Sequence, residues 1–249
     1  ALLSGCSSAE TAKRLRFGVA GEGGVYREFG ELFAALENET ENGTVELKAT
    51  AGSAANLRLL TGEYLQLAIA QADLVQDAYN QTGIFEEEEE TRGFGAVAAL
   101  YTETCQVAVR ADSEIQTIED LQGKTVSIGA EESGSEQNAQ QILSAYGLND
   151  KLVDTVNLNY EDAAAQLKAG KIDAIFMTVG APSPVLTKLA GECSIRLLNV
   201  DGAAAQRLTS AYSAYSTVTL PAGTYPGQDE DVQTVGVKAV LLASDELPA

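Results

Sequence analysis

Residues 45–73 read VELKATAGSAANLRLLTGEYLQLAIAQAD. Apolar and polar residues alternate over Val45–Thr50, as in a strand with one buried face. A small-residue turn, Ala51-Gly52, leads into Ser53–Thr61, where Leu57 and Leu60 share one helical face. Ser53 is the expected N-cap and Gly62 the expected C′ residue of that helix. Leu65–Ala70 is a short apolar run suited to a buried strand, and Ala72–Tyr79 starts another helix. Strand, small loop, helix and strand make a βαβ unit, which commits its strands to a parallel sheet with helices on the faces.

The same alternation extends both ways. Upstream lie a strand at Leu15–Ala20 and a helix at Tyr26–Asn38, with Phe29, Leu32, Phe33 and Leu36 at helical spacing. Downstream, Phe94–Tyr101 and Cys105–Val109 read as two strands parted by the polar Thr102-Glu103-Thr104. A second series follows, with strands at Thr125–Gly129, Thr155–Asn159, Ile172–Met177 and Ile195–Val200. Helices at Glu136–Tyr146, Glu161–Ala169, around Pro184–Ala190 and at Ala203–Tyr212 separate them, and Thr217–Leu220 and Thr234–Leu242 close the chain as strands. Two rounds of βαβ predict an α/β protein of two lobes, each a mostly parallel sheet with flanking helices. The boundaries expected are 15–101 with 218–249 for the first lobe and 105–214 for the second, with hinge crossings at 102–104 and 215–217. Cys105–Val109 has no helix before it and is expected to join the second sheet antiparallel.

Across 249 residues, 36 Asp+Glu oppose 16 Lys+Arg for a formal net charge of −20, and histidine is absent. The acidity argues against a nucleic-acid partner, which needs clustered cations, and against unaided adsorption to anionic lipid. The missing histidine removes Ser-His-Asp and Cys-His nucleophile systems and histidine metal sites. The three cysteines are too scattered for a zinc site, so no metal and no cofactor is expected. The run Glu86–Glu90 reads as a solvated loop.

At the amino end, Leu3-Ser4-Gly5-Cys6 resembles a bacterial lipobox behind a trimmed leader. The expectation is that Cys6 is lipidated, that residues 1–14 tether the body, and that the protein is extracytoplasmic and meets the membrane only through the lipid. No other run approaches the ~20 apolar residues of a membrane span. That compartment permits disulfides, which leaves a Cys105–Cys193 bridge open.

In open α/β sheets, ligands bind beyond the carboxyl ends of the strands, at helix N-termini. Small-residue loops stand at five such ends: Gly21–Tyr26, Ala51–Asn56, Gln71–Asp73, Glu132–Glu136 and Thr178–Pro182. The first lacks a dinucleotide fingerprint, since Tyr26 occupies the third glycine position, and no Gly-Lys-Ser/Thr follows for a P-loop. What remains is a set of backbone N–H groups and short polar side chains suited to a small anionic or zwitterionic ligand. Ser53 and Ser135 could equally cap helices, and Asn56 could bond only backbone.

Several stretches together carry a family likeness: Gly23-Gly24-Val25-Tyr26, Gly52–Leu60, Leu67–Asp73, Val109–Ser113 with Asp120–Lys124, Gly134-Ser135-Glu136, Ala145–Leu148 and Pro221–Asp229. From about Arg16 onward the chain resembles the TAXI-type solute-binding proteins of TRAP transporters. The resemblance implies a two-lobed periplasmic-binding-protein fold of type II. It also implies capture of a small organic anion or amino acid, often glutamate or glutamine, and delivery to a TRAP membrane permease rather than catalysis. Carried onto matching positions, it implies Tyr26, Ser53, Asn56, Gln71, Asp73, Ser133, Ser135 and Tyr225 as pocket residues. The chain departs from the family at Val25, where a hydroxyl residue is common, and at Arg27-Glu28, where Tyr-Pro is common; Arg27 is thus a candidate cation for the ligand. Family members also continue past the position of Ala249 with further helices over the first lobe, a segment expected to be missing here. Two rivals stand beside this expectation: an enzyme on the same fold using Cys105, and a ligand sensor without a transport role.

Overall fold

The computed structural model describes residues 14–39, 44–88 and 91–247. The quoted stretch forms β2 (Thr44–Lys48), α2 (Ser53–Thr61) and β3 (Leu67–Gln71), preceded by β1 (Arg14–Gly18) and α1 (Val25–Asn38). β1 lies between β2 and β3, parallel to both. All five residues of β3 are buried, which is why that strand is apolar throughout rather than alternating. α2 and α3 (Ala72–Asn80) cover one face, with Leu57, Leu60 and Leu74 against Leu242. α1 covers the other, with Tyr26 and Ala34 packed near Phe17 and Ile69.

The second half repeats the plan. β5 (Thr125–Ser127) lies between β6 (Asp154–Val156) and β7 (Ala174–Val179), parallel to both. α4 (Gly134–Ala145) and α7 (Gly202–Ala211) cover one face through Ile142 and Leu208. α5 (Tyr160–Lys168) and α6 (Pro184–Glu192) cover the other through Leu167 and Leu186. Burying each such side chain stabilises the fold by about 1.5–3 kcal/mol. β8 (Ile195–Leu198) and β9 (Ser216–Leu220) are short strands at the sides of the sheet.

Two long antiparallel strands join the halves: β4 (Phe94–Arg110) and β10 (Val232–Ser244). The sheet order is β2-β1-β3-β10-β4-β7-β5-β6, with β8 on β4 and β9 on β10. As the sequence predicts, Cys105–Val109 pairs antiparallel in the second half, with β7.

Four local expectations change. β4 runs unbroken through Thr102-Glu103-Thr104, because these residues pair with Gly236–Lys238 and Thr104 also pairs with Val179. The chain returns to the first half inside β10, where pairing with β9 ends at Gly236 and pairing with β3 begins at Ala239, and not at 215–217. Tyr225, expected with the first lobe, packs in the second-half cluster around Leu167 and Met177. On α1, Phe29 and Phe33 pack on the Phe17 ring while Leu32 and Leu36 remain 69% and 68% exposed.

Glu88 of the acidic run is half-buried and ion-paired to Arg58 at 2.6 Å, so it is not simply solvated; residues 89 and 90 lie outside the described residues. Cys105 and Cys193 are unpaired thiols. Among the described residues, no helix is long and apolar enough to cross a membrane.

Candidate functional site

A cavity of about 120 Å³ lies where the two halves meet. Four helices begin at its wall. Gly24-Val25-Tyr26 opens α1, Gly52-Ser53 opens α2, Ser133–Ser135 opens α4 and Asn159-Tyr160 opens α5. Each helix start presents backbone N–H groups that lack intrahelical acceptors, and each carries the positive end of a helix dipole. No lysine or arginine lines the cavity. An anion there would meet peptide N–H groups rather than side-chain cations.

Each half contributes a serine and a tyrosine in the same arrangement. In the first, Ser53 Oγ accepts from the Gln71 N–H at the end of β3 (3.1 Å) and lies 3.3 Å from the Tyr26 hydroxyl. Tyr26 gives its proton to Glu103 Oε2 at 2.7 Å, so Ser53 is the donor to Tyr26. In the second, Ser135 Oγ accepts from the Thr178 N–H in β7 (2.9 Å) and lies 2.6 Å from the Tyr160 hydroxyl. Tyr160 donates to the Thr178 carbonyl at 3.0 Å. Neither serine is an N-cap. Gly52 and Ser133 hold those positions, and only Ser133 makes a capping bond, accepting from the Glu136 N–H.

Glu103 is 3% exposed and carries the carboxyl at which the first-half chain ends. Burial pushes its pKa up to about 8, and hydrogen bonds from Tyr26 and Gln71 only partly oppose this. It is therefore largely protonated at neutral pH. Burial and the neighbouring Glu103 also raise the Tyr26 phenol well above its ordinary range. Beside them, the Gln71 Oε1 is buried without a hydrogen-bond partner.

The halves touch closely around the cavity. Gly52 has a φ of +137°, and a Cβ there would come within 3.1 Å of Ser133 Cα. A Cβ on Gly134 would land on the Gln71 side-chain amide. Both glycines are thus required by close approach across the cleft. Further links are Ala55 N–H to Glu132 O (3.3 Å), Arg58 to Glu132 (2.9 Å) and Asn138 Nδ2 to Asp73 Oδ2 (2.7 Å).

Of the residues expected in the pocket, Tyr26, Ser53, Gln71, Ser133 and Ser135 line this cavity together. Asn56 does not: its Nδ2 donates to the Gly18 and Ile69 carbonyls, and its Oδ1 accepts from Thr50. It ties β1 to β3 and holds Thr50, which does line the site. Asp73 lies behind the wall, buried against Asn138, with its pKa raised to about 6 by burial. Tyr225 is elsewhere, donating to Gln106 and accepting from the Ser183 N–H at 2.8 Å. Arg27 pairs with Glu31 one turn along α1 and does not reach the cavity. Cys6 lies outside the described residues.

Sequence reasoning missed Glu103, Asn159 and Tyr160, whereas Thr178 lies in one of the five loops it singled out. Glu103 was hidden by reading a polar triplet as a break. Tyr160 had a signal, since it opens a helix as Tyr26 nearly does. Cys105 is 2% exposed and burial pushes its thiol up to about 12, so it is not a poised nucleophile. Among the described residues, no group of three or more Cys, Asp or Glu side chains is placed to hold a metal ion.

Residues 17–249 match the model of the NMT1-like family. The chain is also similar to solved structures. The periplasmic aliphatic sulphonate binding protein SsuA from Escherichia coli superposes with a TM-score of 0.54 at 18% identity, over 93% of this chain and 65% of that one. PhnD1 from Prochlorococcus marinus (MIT 9301), in complex with methylphosphonate, gives 0.60 at 13% identity, over 94% and 78%. An ancestral arginine-binding protein bound to arginine gives 0.55 at 16% identity, over 94% and 85%. These likenesses establish the mixed α/β fold of periplasmic binding proteins, a central sheet with flanking helices. The chain spans 65% of the length of the SsuA chain it matches.

Proposed function

The chain belongs to the NMT1-like family, and from that premise we propose that it is an extracytoplasmic solute-binding protein, not an enzyme. The observation that carries the proposal is the convergence of four helix N-termini and two serine–tyrosine pairs on one cavity between the halves. The ligand is a small organic anion or amino acid of the glutamate or glutamine kind. Its carboxylate is met by peptide N–H groups at the starts of α1, α2, α4 and α5, which compensate the loss of water that otherwise makes burying an ion costly. The sulphonate, methylphosphonate and arginine named for similarly folded proteins are likewise small charged molecules.

The two lobes, 15–101 with the end of β10 and 105–214 with β9, open and close about the crossings in β4 and β10. A ligand that touches both walls favours the closed form by its differential affinity for the two states. Tyr26, Ser53, Gln71 and Glu103 form one wall and Ser133, Ser135, Tyr160 and Thr178 the other. Delivery to a TRAP-type permease, membership of the TAXI subgroup and anchoring through a lipid on Cys6 rest on the sequence stretches alone. The buried Cys105 thiol supports binding over thiol chemistry.

Thermal unfolding with millimolar glutamate, glutamine, 2-oxoglutarate and C4-dicarboxylates tests the proposal. A true ligand at 100 times its Kd adds about 2.7 kcal/mol and raises Tm by several degrees. No shift with any small acid or amino acid overturns it.

A further inference from the structure

Around Gln71, buried acceptors stand without donors. Gln71 Oε1 is buried with no partner, and so are Asp73 Oδ1 and Asn138 Oδ1 just behind it. Glu103 adds a carboxyl in the same place. The titratable groups around Glu103 are Tyr26 on α1, Asp73 on α3, Tyr160 on α5, and Tyr101 and Cys105 on its own strand. None is a cation, and among the described residues neither Glu103 nor Asp73 forms an ion pair. With no lysine or arginine beside them, the two buried carboxyls have no cation against which to ionise, and the unsatisfied amide oxygen has no N–H donor. An ammonium group supplies both: one charge and three donors, with no acceptor.

We propose that Glu103 and Gln71 form a subsite for an ammonium group, so that the ligand is a small zwitterion rather than a simple anion. The inference rests on the binding function proposed above and narrows its substrate class. The ligand carboxylate takes the N–H groups at the helix starts, while its ammonium faces Glu103 and Gln71. One N–H reaches Gln71 Oε1 and another reaches the Glu103 carboxylate. Glu103 is neutral in the empty site, so it must ionise to receive the cation. Its proton leaves to solvent, and one proton is released for each ligand bound. A deaminated analogue brings no charge to balance Glu103 and leaves Gln71 Oε1 unpaired.

Calorimetric titration of the unmodified chain between pH 6 and pH 8 tests this, with L-glutamate and L-glutamine set against glutarate and 2-oxoglutarate. The expected result is that the amino acids bind at least tenfold more tightly than their deaminated counterparts. Their affinity rises with pH, by up to about tenfold per unit below the pKa of Glu103. A weakly buffered dye solution records release of close to one proton. In Glu103→Gln the pH dependence disappears and the preference for the amine shrinks. Deaminated acids binding as tightly as the amino acids, with no proton release, overturn the ammonium subsite and leave the binding function standing. Failure of all four probes to bind overturns the ammonium subsite, and failure of the C4-dicarboxylates and every other small acid or amino acid as well overturns the binding function.

Discussion

The two serine–tyrosine pairs differ in how they end. Both take a strand N–H onto a serine oxygen and pass the serine proton to a tyrosine at a helix start. From Tyr160 the last bond goes to the Thr178 backbone carbonyl, a neutral acceptor that never titrates. From Tyr26 it goes to the Glu103 carboxyl, buried and without a counter-ion. One half of the molecule is therefore electrically fixed at this point, while the other carries a charge that depends on pH. Similar folds in the two halves do not give the walls equal roles. On the proposed binding function, the second wall positions the ligand and the first discriminates.

The largest expected effect breaks this asymmetry directly. Glu103 ionises near its ordinary value of 4.5 in the unfolded chain and near 8 in the folded one. Between those values the folded state holds a proton that the unfolded state has lost, so stability falls as pH rises. The loss is at most about 1.4 kcal/mol for each pH unit crossed and a few kcal/mol in all. Asp73 adds a loss of the same sign, but its window closes by about pH 6. The slope above pH 6 thus reports Glu103. Denaturant unfolding of the empty protein at pH 6 and pH 8 should show it, and Glu103→Gln should flatten it and be the more stable of the two at pH 8. An unchanged slope in the variant would show that the carboxyl is hydrated or already ionised.

Next in size are the glycines at the cleft. Gly134→Ala places a methyl on the Gln71 amide, and Gly52→Ala places one against Ser133 at a φ that disfavours side chains. Overpacking of this kind costs about 1–3 kcal/mol. Because the obstructing atoms belong to the opposite half, the cost should fall mainly on the closed form. The expected outcome is ligand affinity lower by about tenfold to a hundredfold, with unfolding of the empty chain changed much less. Equal losses in both measurements would place the clash within one half and not across the cleft.

Why Glu103 escaped sequence reasoning has a physical explanation. The βαβ alternation was legible because apolar periodicity and small-residue loops are local signals, and Leu57, Leu60 and the glycine turns carry them openly. Tyr26, Ser53, Gln71, Ser133 and Ser135 lie in loops at strand ends and helix starts that the sequence marks locally; the resemblance implies them as pocket residues, and they line the cavity. Glu103 sits mid-strand, and a charged residue there ordinarily marks an interruption. Its place depends on Tyr26, 77 residues away in sequence, and on pairing with β10. Asn56 and Tyr225 mislead in the opposite direction. They are polar residues in distinctive stretches, but their hydrogen bonds are consumed by the scaffold. Ser53 lines the cavity, but the capping role expected for it is held by Gly52; Ser53 instead anchors a strand end and a tyrosine.

The smaller effects sharpen the comparison. Tyr26→Phe removes a hydrogen bond that favours ionised Glu103, whereas Tyr160→Phe removes one between neutral groups. The first should cost about 1.5–3 kcal/mol where Glu103 is ionised and less where it is protonated, and the second about 1 kcal/mol at every pH. Paired denaturation curves at pH 6 and pH 9 separate them, and parallel behaviour would show that the two walls are electrically alike. The least effect belongs to the rim. Arg58 spans the cleft to Glu132, but both side chains are partly exposed, 31% and 48%. Such a pair is worth a few tenths of a kcal/mol to about 1 kcal/mol and is screened by salt. Glu132→Gln should weaken binding less than about fivefold at low salt, and the difference should vanish near 1 M salt. The Glu103 proton is shielded by burial, so its linkage should persist there. Salt therefore divides the closure contacts from the discriminating wall: whatever survives 1 M salt belongs to the buried floor, and whatever is lost belongs to the rim.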